Sequence, residues 1–373
     1  MTPLLTKVAL TVLVGTAVGF GAGIAPTASG RHVEHVATSS PTQAVEGDGV
    51  HGPRGMMWIP GGGFVMGSTG PWTRPNERPA HRVRVHGFWM DRTPVTNAQF
   101  AVFVAATGYV TTAEHPPDWE TLKAQLPAGT PKPSEGVLVP GAMVFVGTER
   151  PVDLNDYTQW WRYVPGADWR HPEGPGSTVV GKENCPVVQV SYDDALAYAR
   201  WIGKRLPTEA EWEFAARGGL AQATYAWGNE FAPQGRRMGN VWEGSAQPFP
   251  VVSSSAEGTH STSRVCTFPP NGYGLCDMTG NVWQWVADWY RADAFQLATQ
   301  GLEPVDPQGP IASYDPDEPG VPEDAPKRVI RGGSFLCSQA YCMSYRPSAR
   351  RGSDPYTSMP HIGFRLVSSR LRT

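Results

Sequence analysis

The chain is poor in charge, and neither sign dominates. Only 17 % of its 373 residues are charged, and 31 basic against 34 acidic side chains give a formal net charge of −3. The basic excess typical of nucleic-acid-binding proteins is therefore missing. The chain holds 42 glycines and 36 prolines, which cost about 1 and 3 kcal/mol each in a helix interior. This composition excludes coiled coils and long helical bundles.

Apolar and aromatic residues are plentiful by contrast. Hydrophobic residues make up 40 % of the chain, and 14 of its residues are tryptophan. Large rings bury much surface each, so the chain can build a core with little regular secondary structure. Disorder over the whole length is thereby excluded. Length alone allows one to three domains.

The first 30 residues have the order of a targeting segment. Lys7 precedes an apolar run from Val8 to Ala25, and a small-residue stretch that includes Ala28 follows. This order predicts a signal peptide and export to the periplasm or the extracellular space. The alternative is an uncleaved membrane anchor, because the run is just long enough to span a bilayer. No cysteine lies directly after the run, which argues against a lipid-anchored protein.

The sequence predicts that the rest of the chain consists of a linker and one domain. Residues 31–55 are polar and lack apolar periodicity, so we expect a flexible linker. Residues 56–373 carry short strand patterns and three helix signals, of which capping boxes at Thr96/Gln99 and Thr208/Glu211 are the clearest. Ser191 is expected to cap a third helix. The predicted fold class is α+β, with short helices around antiparallel sheet and many covering loops.

Two of the five cysteines, Cys337 and Cys342, lie five residues apart. In an exported protein this spacing is compatible with a structural disulfide or with two small buried hydrophobic residues. A third interpretation is a soft-metal site, because two thiolates favour Cu(I), zinc or iron–sulfur. Tetrahedral zinc would be short of ligands here. The residues alone leave the three interpretations open.

Several segments together resemble the formylglycine-generating enzyme family, also called sulfatase-modifying factors. They are "GGGFVMGS", "KRLPTEAEWEFAARGG", "YAWGNE", "PPNGYGLCDMTGNVWQW" and "RVIRGGSF" followed by "GFR". The resemblance implies a C-type-lectin-like fold variant with little secondary structure. The segment "GGSFLCSQAYCMSYRPSAR" matches the active branch at Ser334, Cys337, Cys342 and Arg350.

The resemblance also implies an activity. A cysteine within a Cys-x-Pro-x-Arg motif of a nascent or unfolded sulfatase would be oxidised by O2 to Cα-formylglycine. Cu(I) held by Cys337 and Cys342 would be the cofactor. Ser334 would position the substrate or the oxygen species through its hydroxyl, and Arg350 would stabilise anionic charge near the metal. The residues implied to line the substrate groove are Trp283, Tyr341 and His361.

The family likewise binds structural Ca²⁺, and two groups of residues match its pattern. The first group is Asn240, Val241, Glu257 and Thr259. The second group is Asp277, Gly280, Val282 and Gln284. Hard oxygen ligands are what Ca²⁺ requires. Both groups depart from the common pattern, since Glu257 replaces an aspartate and Gln284 replaces a glutamate.

A non-enzymatic binding module on the same fold, with Cys337–Cys342 as a structural disulfide, is the rival hypothesis. An exported factor that oxidises some other protein side chain is a third. The nine histidines show no pattern joined to a carboxylate, which disfavours an iron-dependent sulfoxide synthase.

Overall fold

The structure is a computed structural model that describes residues 44–134, 136–243, 248–252 and 260–368. The expected signal segment at 1–30 lies outside these residues. Within the described part, no helix is both long and apolar enough to cross a membrane.

Short strands and short helices alternate along the described chain. The strands are β1 Met56–Ile59, β2 Gly62–Met66, β3 His81–Val85, β4 Phe88–Asp91, β5 Gly141–Phe145, β6 Trp161–Pro165, β7 Trp283–Trp289, β8 Arg328–Arg331, β9 Arg350–Ser353, β10 Ile362–Phe364 and β11 Val367–Ser368. The α-helices are α1 Asn97–Thr107, α2 Trp119–Lys123, α3 Tyr192–Trp201, α4 Glu209–Arg217 and α5 Ala294–Ala298. Single turns of 3₁₀ helix occupy Pro75–Glu77, Thr112–Glu114, Tyr157–Gln159 and Pro233–Gly235.

The predicted capping boxes are present. Thr96, Ser191 and Thr208 each accept a hydrogen bond from the backbone N–H three residues on, and the side chain at that position bonds back. These bonds satisfy N–H groups that a helix start leaves without partners. Helices α1 and α4 end at Gly108 and Gly218 in the left-handed conformation. The helix boundaries thus follow local sequence.

Four small sheets make up the strand content of the described residues. One sheet has the order β1–β4–β11, and the largest has the order β10–β7–β8–β9, with β2–β3 and β5–β6 as two-stranded pairs. Only the β10–β7 pair among these is parallel. Strands β3 and β4 follow each other with only His86 and Gly87 between them, and a Cβ at Gly87 would lie 2.5 Å from the ring of Trp58. The α+β class is confirmed.

Two buried apolar clusters flank these sheets. One gathers the side chains of β1 to β4 around α4 and includes Trp212. The other packs α1 and α3 against β7 and β10, and it contains both Cys337 and Cys342. The cysteine pair therefore belongs to the core and not to a surface loop.

The boundary of the folded part lies earlier than the sequence suggested. The backbone N–H of Trp58 donates to the carbonyl of Val45, and that of Gly47 donates to Met56. Residues 45–47 therefore pair with β1 and do not belong to the flexible linker expected over 31–55. Their backbone groups gain partners that a linker would leave to water.

Candidate active site

Cys337 and Cys342 form a disulfide in the structure. The two residues are 2 % and 4 % exposed. Both lie in one short loop, in which Ser338 O accepts from the N–H of Cys342 at 3.1 Å and Ser338 Oγ accepts from that of Tyr341 at 3.0 Å. The loop thus presents two sulfurs side by side with little solvent access.

Two glycines before the cysteines make room for this loop. Gly333 has φ +68°, and a Cβ there would lie 2.8 Å from the backbone of Ser344. Ser334 follows, 1 % exposed, and its Oγ accepts a 3.2 Å hydrogen bond from the N–H of Leu336. Its carbonyl accepts from the N–H of Cys337 at 2.9 Å. Ser334 therefore shapes the turn that carries Cys337, while its hydroxyl proton is left to donate elsewhere.

The tetrapeptide Gly-Asn-Val-Trp occurs twice, at residues 239–242 and 280–283, and both copies bond to the same loop. The N–H of Asn281 donates to Asn240 O at 2.7 Å, so the two copies pair with each other. Trp242 of the first copy donates its N–H to Cys337 O, and Asn281 O of the second copy accepts from Phe335, both at 3.0 Å. The repeat is thus a clamp on residues 335–337.

Arg350 is buried and forms an ion pair with the carboxylate of Glu209. Its Nε and Nη2 donate to the two oxygens of Glu209 at 2.7 and 2.8 Å, and its Nη1 donates to Arg291 O at 2.7 Å. Burial alone would raise the pKa of Glu209, but the charges of Arg350 and Arg331 outweigh it and hold that pKa below its usual value. The structure thus places Arg350 in an ion-pair network, and its assigned hydrogen bonds include none to the cysteine pair.

A different arginine, Arg74, contacts the backbone of the cysteine loop. Arg74 Nη2 is 3.5 Å from Cys342 O. Burial and the nearby charge of Arg351 lower the pKa of Arg74 to about 9, so it is cationic at neutral pH. Arg346 donates from Nε to Met343 O and pairs with the buried Glu77 through both Nη atoms at 2.8 and 2.6 Å. Arg74 therefore brings positive charge to the second half of the loop, while the charge of Arg346 is balanced by Glu77. Positive charge near a cysteine favours its thiolate.

Tyr341 lies in an aromatic wall beside the disulfide. Its ring stacks on Phe249 at 4.3 Å between centroids and meets the edge of Trp160 at 5.7 Å. Burial strongly raises the pKa of Tyr341, so the phenol stays neutral and can only exchange hydrogen bonds.

Trp283 and His361 are brought together on neighbouring parallel strands. The N–H of Trp283 donates to His361 O at 2.8 Å, and the His361 ring meets Trp161 at 5.1 Å between centroids. Burial lowers the pKa of His361 to about 3, so its imidazole is neutral. Trp160 contacts Tyr341, and its neighbour Trp161 contacts His361, which is bonded to Trp283. The three predicted groove residues are therefore linked through the start of β6.

The first expected calcium group is only partly described. Asn240 Nδ2 donates to Ser261 O at 2.9 Å and to Asn281 Oδ1 at 3.2 Å, and Val241 follows it in the clamp. Glu257 and Thr259 lie outside the described residues. The amide of Asn240 is thus oriented with Nδ2 toward protein acceptors, which turns Oδ1 away from them.

The second expected calcium group is brought together, but its donor set does not fit a cation. Asp277 O accepts from Gln284 Nε2 at 2.8 Å and from Arg365 Nη2 at 2.9 Å. Hydrogen-bond donors therefore meet where oxygen ligands were expected. Gly280 and Val282 lie on the chain between them, with Gly280 donating its N–H to Gly332 O.

The remaining cysteines are also assigned. Cys266 and Cys276 form a second disulfide, and Cys185 is a buried free thiol whose pKa is raised by burial. Sequence reasoning missed Arg74, Glu209 and Trp242 as neighbours of the site. Only Trp242 had a sequence signal, because it ends the first copy of the repeated tetrapeptide.

Several known proteins are similar to this chain over most of its length. The model of the sulfatase-modifying factor enzyme 1-like domain matches residues 41–370. The chain is 47 % identical over 310 residues to a formylglycine-generating enzyme of Mycobacterium tuberculosis, covering 83 % of this chain and 96 % of that protein. It is 36 % identical over 319 residues to the inactive Cα-formylglycine-generating enzyme 2 of Mus musculus, covering 84 % and 85 %. The solved structure of PvdO from Pseudomonas aeruginosa is similar in fold, with a TM-score of 0.52, 24 % identity and coverage of 84 % and 94 %.

Proposed function

The chain belongs to the sulfatase-modifying factor enzyme family, and on that premise we propose that it is a formylglycine-generating oxidoreductase. Its substrate is a cysteine in a Cys-x-Pro-x-Arg segment of a sulfatase that has not yet folded. The observation that carries the proposal is the buried Cys337–Cys342 pair, held by the Trp242 and Asn281 clamp next to an aromatic wall.

The donor set fits the proposed copper. Cys337 and Cys342 supply two soft sulfur atoms within one loop, and soft thiolates favour Cu(I). Reduction of the disulfide must come first, because a sulfur bonded to sulfur is not a thiolate. When bound, the ion would supply the one-electron chemistry through which O2 reacts with a thiol.

The substrate cysteine loses two electrons and two protons, one from Cβ–H and one from S–H, and O2 takes up both electrons and both protons, which reduces it to hydrogen peroxide. Water then replaces sulfur at Cβ, which releases hydrogen sulfide and leaves the aldehyde. Burial of the cysteine pair keeps bulk water away from it during the oxidation step. Arg74, which contacts the carbonyl of Cys342, adds positive charge at the loop, and positive charge favours a thiolate.

Neighbouring side chains have supporting roles in this proposal. Ser334 fixes the turn before Cys337 and offers its hydroxyl proton to the substrate or oxygen species. Arg350, anchored by Glu209, adds positive charge to the region. Tyr341, Trp283 and His361 line the proposed peptide-binding groove, and because all three side chains are neutral they would contact the peptide through hydrogen bonds and apolar packing.

Structural Ca²⁺ at the first group, Asn240 with Val241, Glu257 and Thr259, belongs to the proposal as well. Export to the periplasm or the extracellular space is consistent with two disulfides, and any membrane contact would use the N-terminal segment. The domain boundaries at residues 30 and 55 remain expectations, modified only by the pairing of residues 45–47 with β1.

A non-enzymatic binding module is the second candidate function. It is favoured by the closed state of the Cys337–Cys342 bond and by the inactive relative at 36 % identity. In that case the aromatic wall binds a peptide, and the Cys337–Cys342 disulfide stays intact.

The test is an activity assay on reduced, copper-loaded protein. A peptide with Cys-x-Pro-x-Arg is incubated with it in air, and mass spectrometry follows conversion of the cysteine side chain to an aldehyde. We expect conversion by the wild type and by Cys185→Ser, and none by Cys337→Ser or Cys342→Ser. The Cys266→Ser/Cys276→Ser variant, which also lacks a disulfide, is the matched control and should keep activity. Peptide binding without conversion would favour the binding module.

A further inference from the structure

The group Asp277, Gly280, Val282 and Gln284 was expected to hold a second Ca²⁺. We propose that this position takes no cation. Hydrogen bonds from Gln284 and Arg365, together with the Cys266–Cys276 disulfide, connect the segments that a cation would otherwise connect. The inference concerns metal content and is independent of the proposed activity.

The orientation of the Gln284 amide is fixed by its partners. Gln284 is fully buried, and its Oε1 accepts from Trp212 Nε1 at 2.9 Å and from Arg365 Nε at 2.7 Å. Indole and guanidinium nitrogens only donate hydrogen bonds, so the oxygen must face them. Nε2 therefore faces Asp277 O at 2.8 Å. A cation in that place would meet an N–H group in place of an oxygen lone pair.

Arg365 brings a positive charge to the same carbonyl. It is fully buried, and Nη2 donates to Cys276 O at 2.7 Å and to Asp277 O at 2.9 Å. A carbonyl has two lone pairs, and both of those on Asp277 O are used by Gln284 and Arg365. A divalent ion at ligand distance would displace these bonds and stand beside the guanidinium charge, which it repels.

The segments that a cation would connect are already connected. Asp277 Oδ2 accepts a 2.8 Å hydrogen bond from the N–H of Cys266, and Cys266 is bonded to Cys276. The carboxylate and the disulfide together hold residues 266 and 276–277 against each other. Asp277 is therefore engaged with protein on both its side chain and its backbone.

Charge explains why residue 284 decides the outcome. A glutamate there would keep one oxygen on Trp212 and Arg365 and turn the other toward Asp277, where the amide nitrogen now lies. Two oxygens would then face each other across the gap, with an added negative charge, and Ca²⁺ prefers such ligands. The substitution Gln284→Glu should therefore create a cation site.

The experiment counts Ca²⁺ per chain by elemental mass spectrometry after equilibration in calcium chloride and desalting of the full-length protein. Gln284→Met, which cannot ligate through oxygen, should retain the calcium content of the wild type. Gln284→Glu should bind one more Ca²⁺ per chain and gain a Ca²⁺-dependent rise in Tm. The matched control is Gln189→Glu, because Gln189 is also a fully buried amide that donates to two carbonyls, Met143 O and Pro172 O. It should gain none.

Loss of one Ca²⁺ in Gln284→Met would overturn the proposal, because Gln284 would then be a ligand. No gain in folded Gln284→Glu would also overturn it, because the amide would not be what excludes the cation. If Gln284→Glu fails to fold, the Gln284→Met count alone decides. None of these counts depends on peptide oxidation, so failure here is distinct from failure of the proposed function.

Discussion

Replacement of Glu209 by glutamine should be among the most destabilising single changes next to the candidate site. The Glu209 carboxylate is 3 % exposed and accepts from Arg350 Nε and Nη2 at 2.7 and 2.8 Å and from Arg331 Nη1 at 2.6 Å. Removing one partner of a buried ion pair typically costs about 3–5 kcal/mol, because a charge stays buried without compensation. Arg331 retains Glu213, so we expect about 3 kcal/mol, at the lower end of that range.

The assay is urea unfolding followed by tryptophan fluorescence, with the free energy of unfolding taken from the midpoint at constant m-value. The control is Glu243→Gln, whose partner Arg237 is half exposed, as is Glu243 itself. Exposed pairs contribute about 0–1 kcal/mol. Because the pKa of Glu209 is lower in the folded than in the unfolded state, the cost should be complete at pH 7. It should shrink as the pH falls below about 4.5.

Equal costs for Glu209→Gln and Glu243→Gln would refute the reasoning. So would a cost that persists unchanged at low pH, where the native carboxylate also gains its proton. In the first case burial would not be what makes the pair important. In the second, the loss would come from packing and not from charge.

Three further outcomes are expected. Burial and the Glu209 charge raise the pKa of Asp288 from 3.8 to about 7, so the wild-type Tm should fall as the pH rises from about 4 to about 7, while the Tm of Asp288→Asn should fall less. Parallel curves for the two proteins would contradict this. Gly333→Ala should abolish peptide oxidation, because its Cβ would collide with the backbone of Ser344. Gly320→Ala, also at positive φ but with no atom within 4 Å of its Cβ, should keep the activity. Activity in both variants would show that the contact with Ser344 does no harm. A chelator should lower the Tm of calcium-loaded wild type but not of Asn240→Ala, and equal shifts would argue against a site at Asn240.

Local signals in the sequence were sufficient for much of the framework. The box formed by Thr208 and Glu211 needs only four residues, so the start of α4 could be predicted without the fold. The relation of Ser334 to Cys337 is equally local, because one turn contains both. Each of these interactions is complete within a few residues.

Long-range partners could not be predicted in the same way. Glu209 and Arg350 are 141 residues apart, and nothing beside Arg350 in the sequence indicates that a carboxylate holds it. The amide orientation of Gln284 depends on Arg365, which is 81 residues away. The expected second Ca²⁺ group therefore had the right spacing, but the direction in which the Gln284 amide points is fixed by Arg365, which lies outside the motif.

The two disulfides join cysteines that are 5 and 10 residues apart, while Arg346 and Glu77 are 269 residues apart. The entropy of closing a loop rises with its length, and short loops close within tens of nanoseconds. During oxidative folding, each sulfur therefore meets its native partner long before the distant ion pairs assemble the core. Cys185, distant in sequence from all four, has a small statistical chance of capturing one of them. Local chain statistics therefore favour encounters between the native partners over encounters with Cys185.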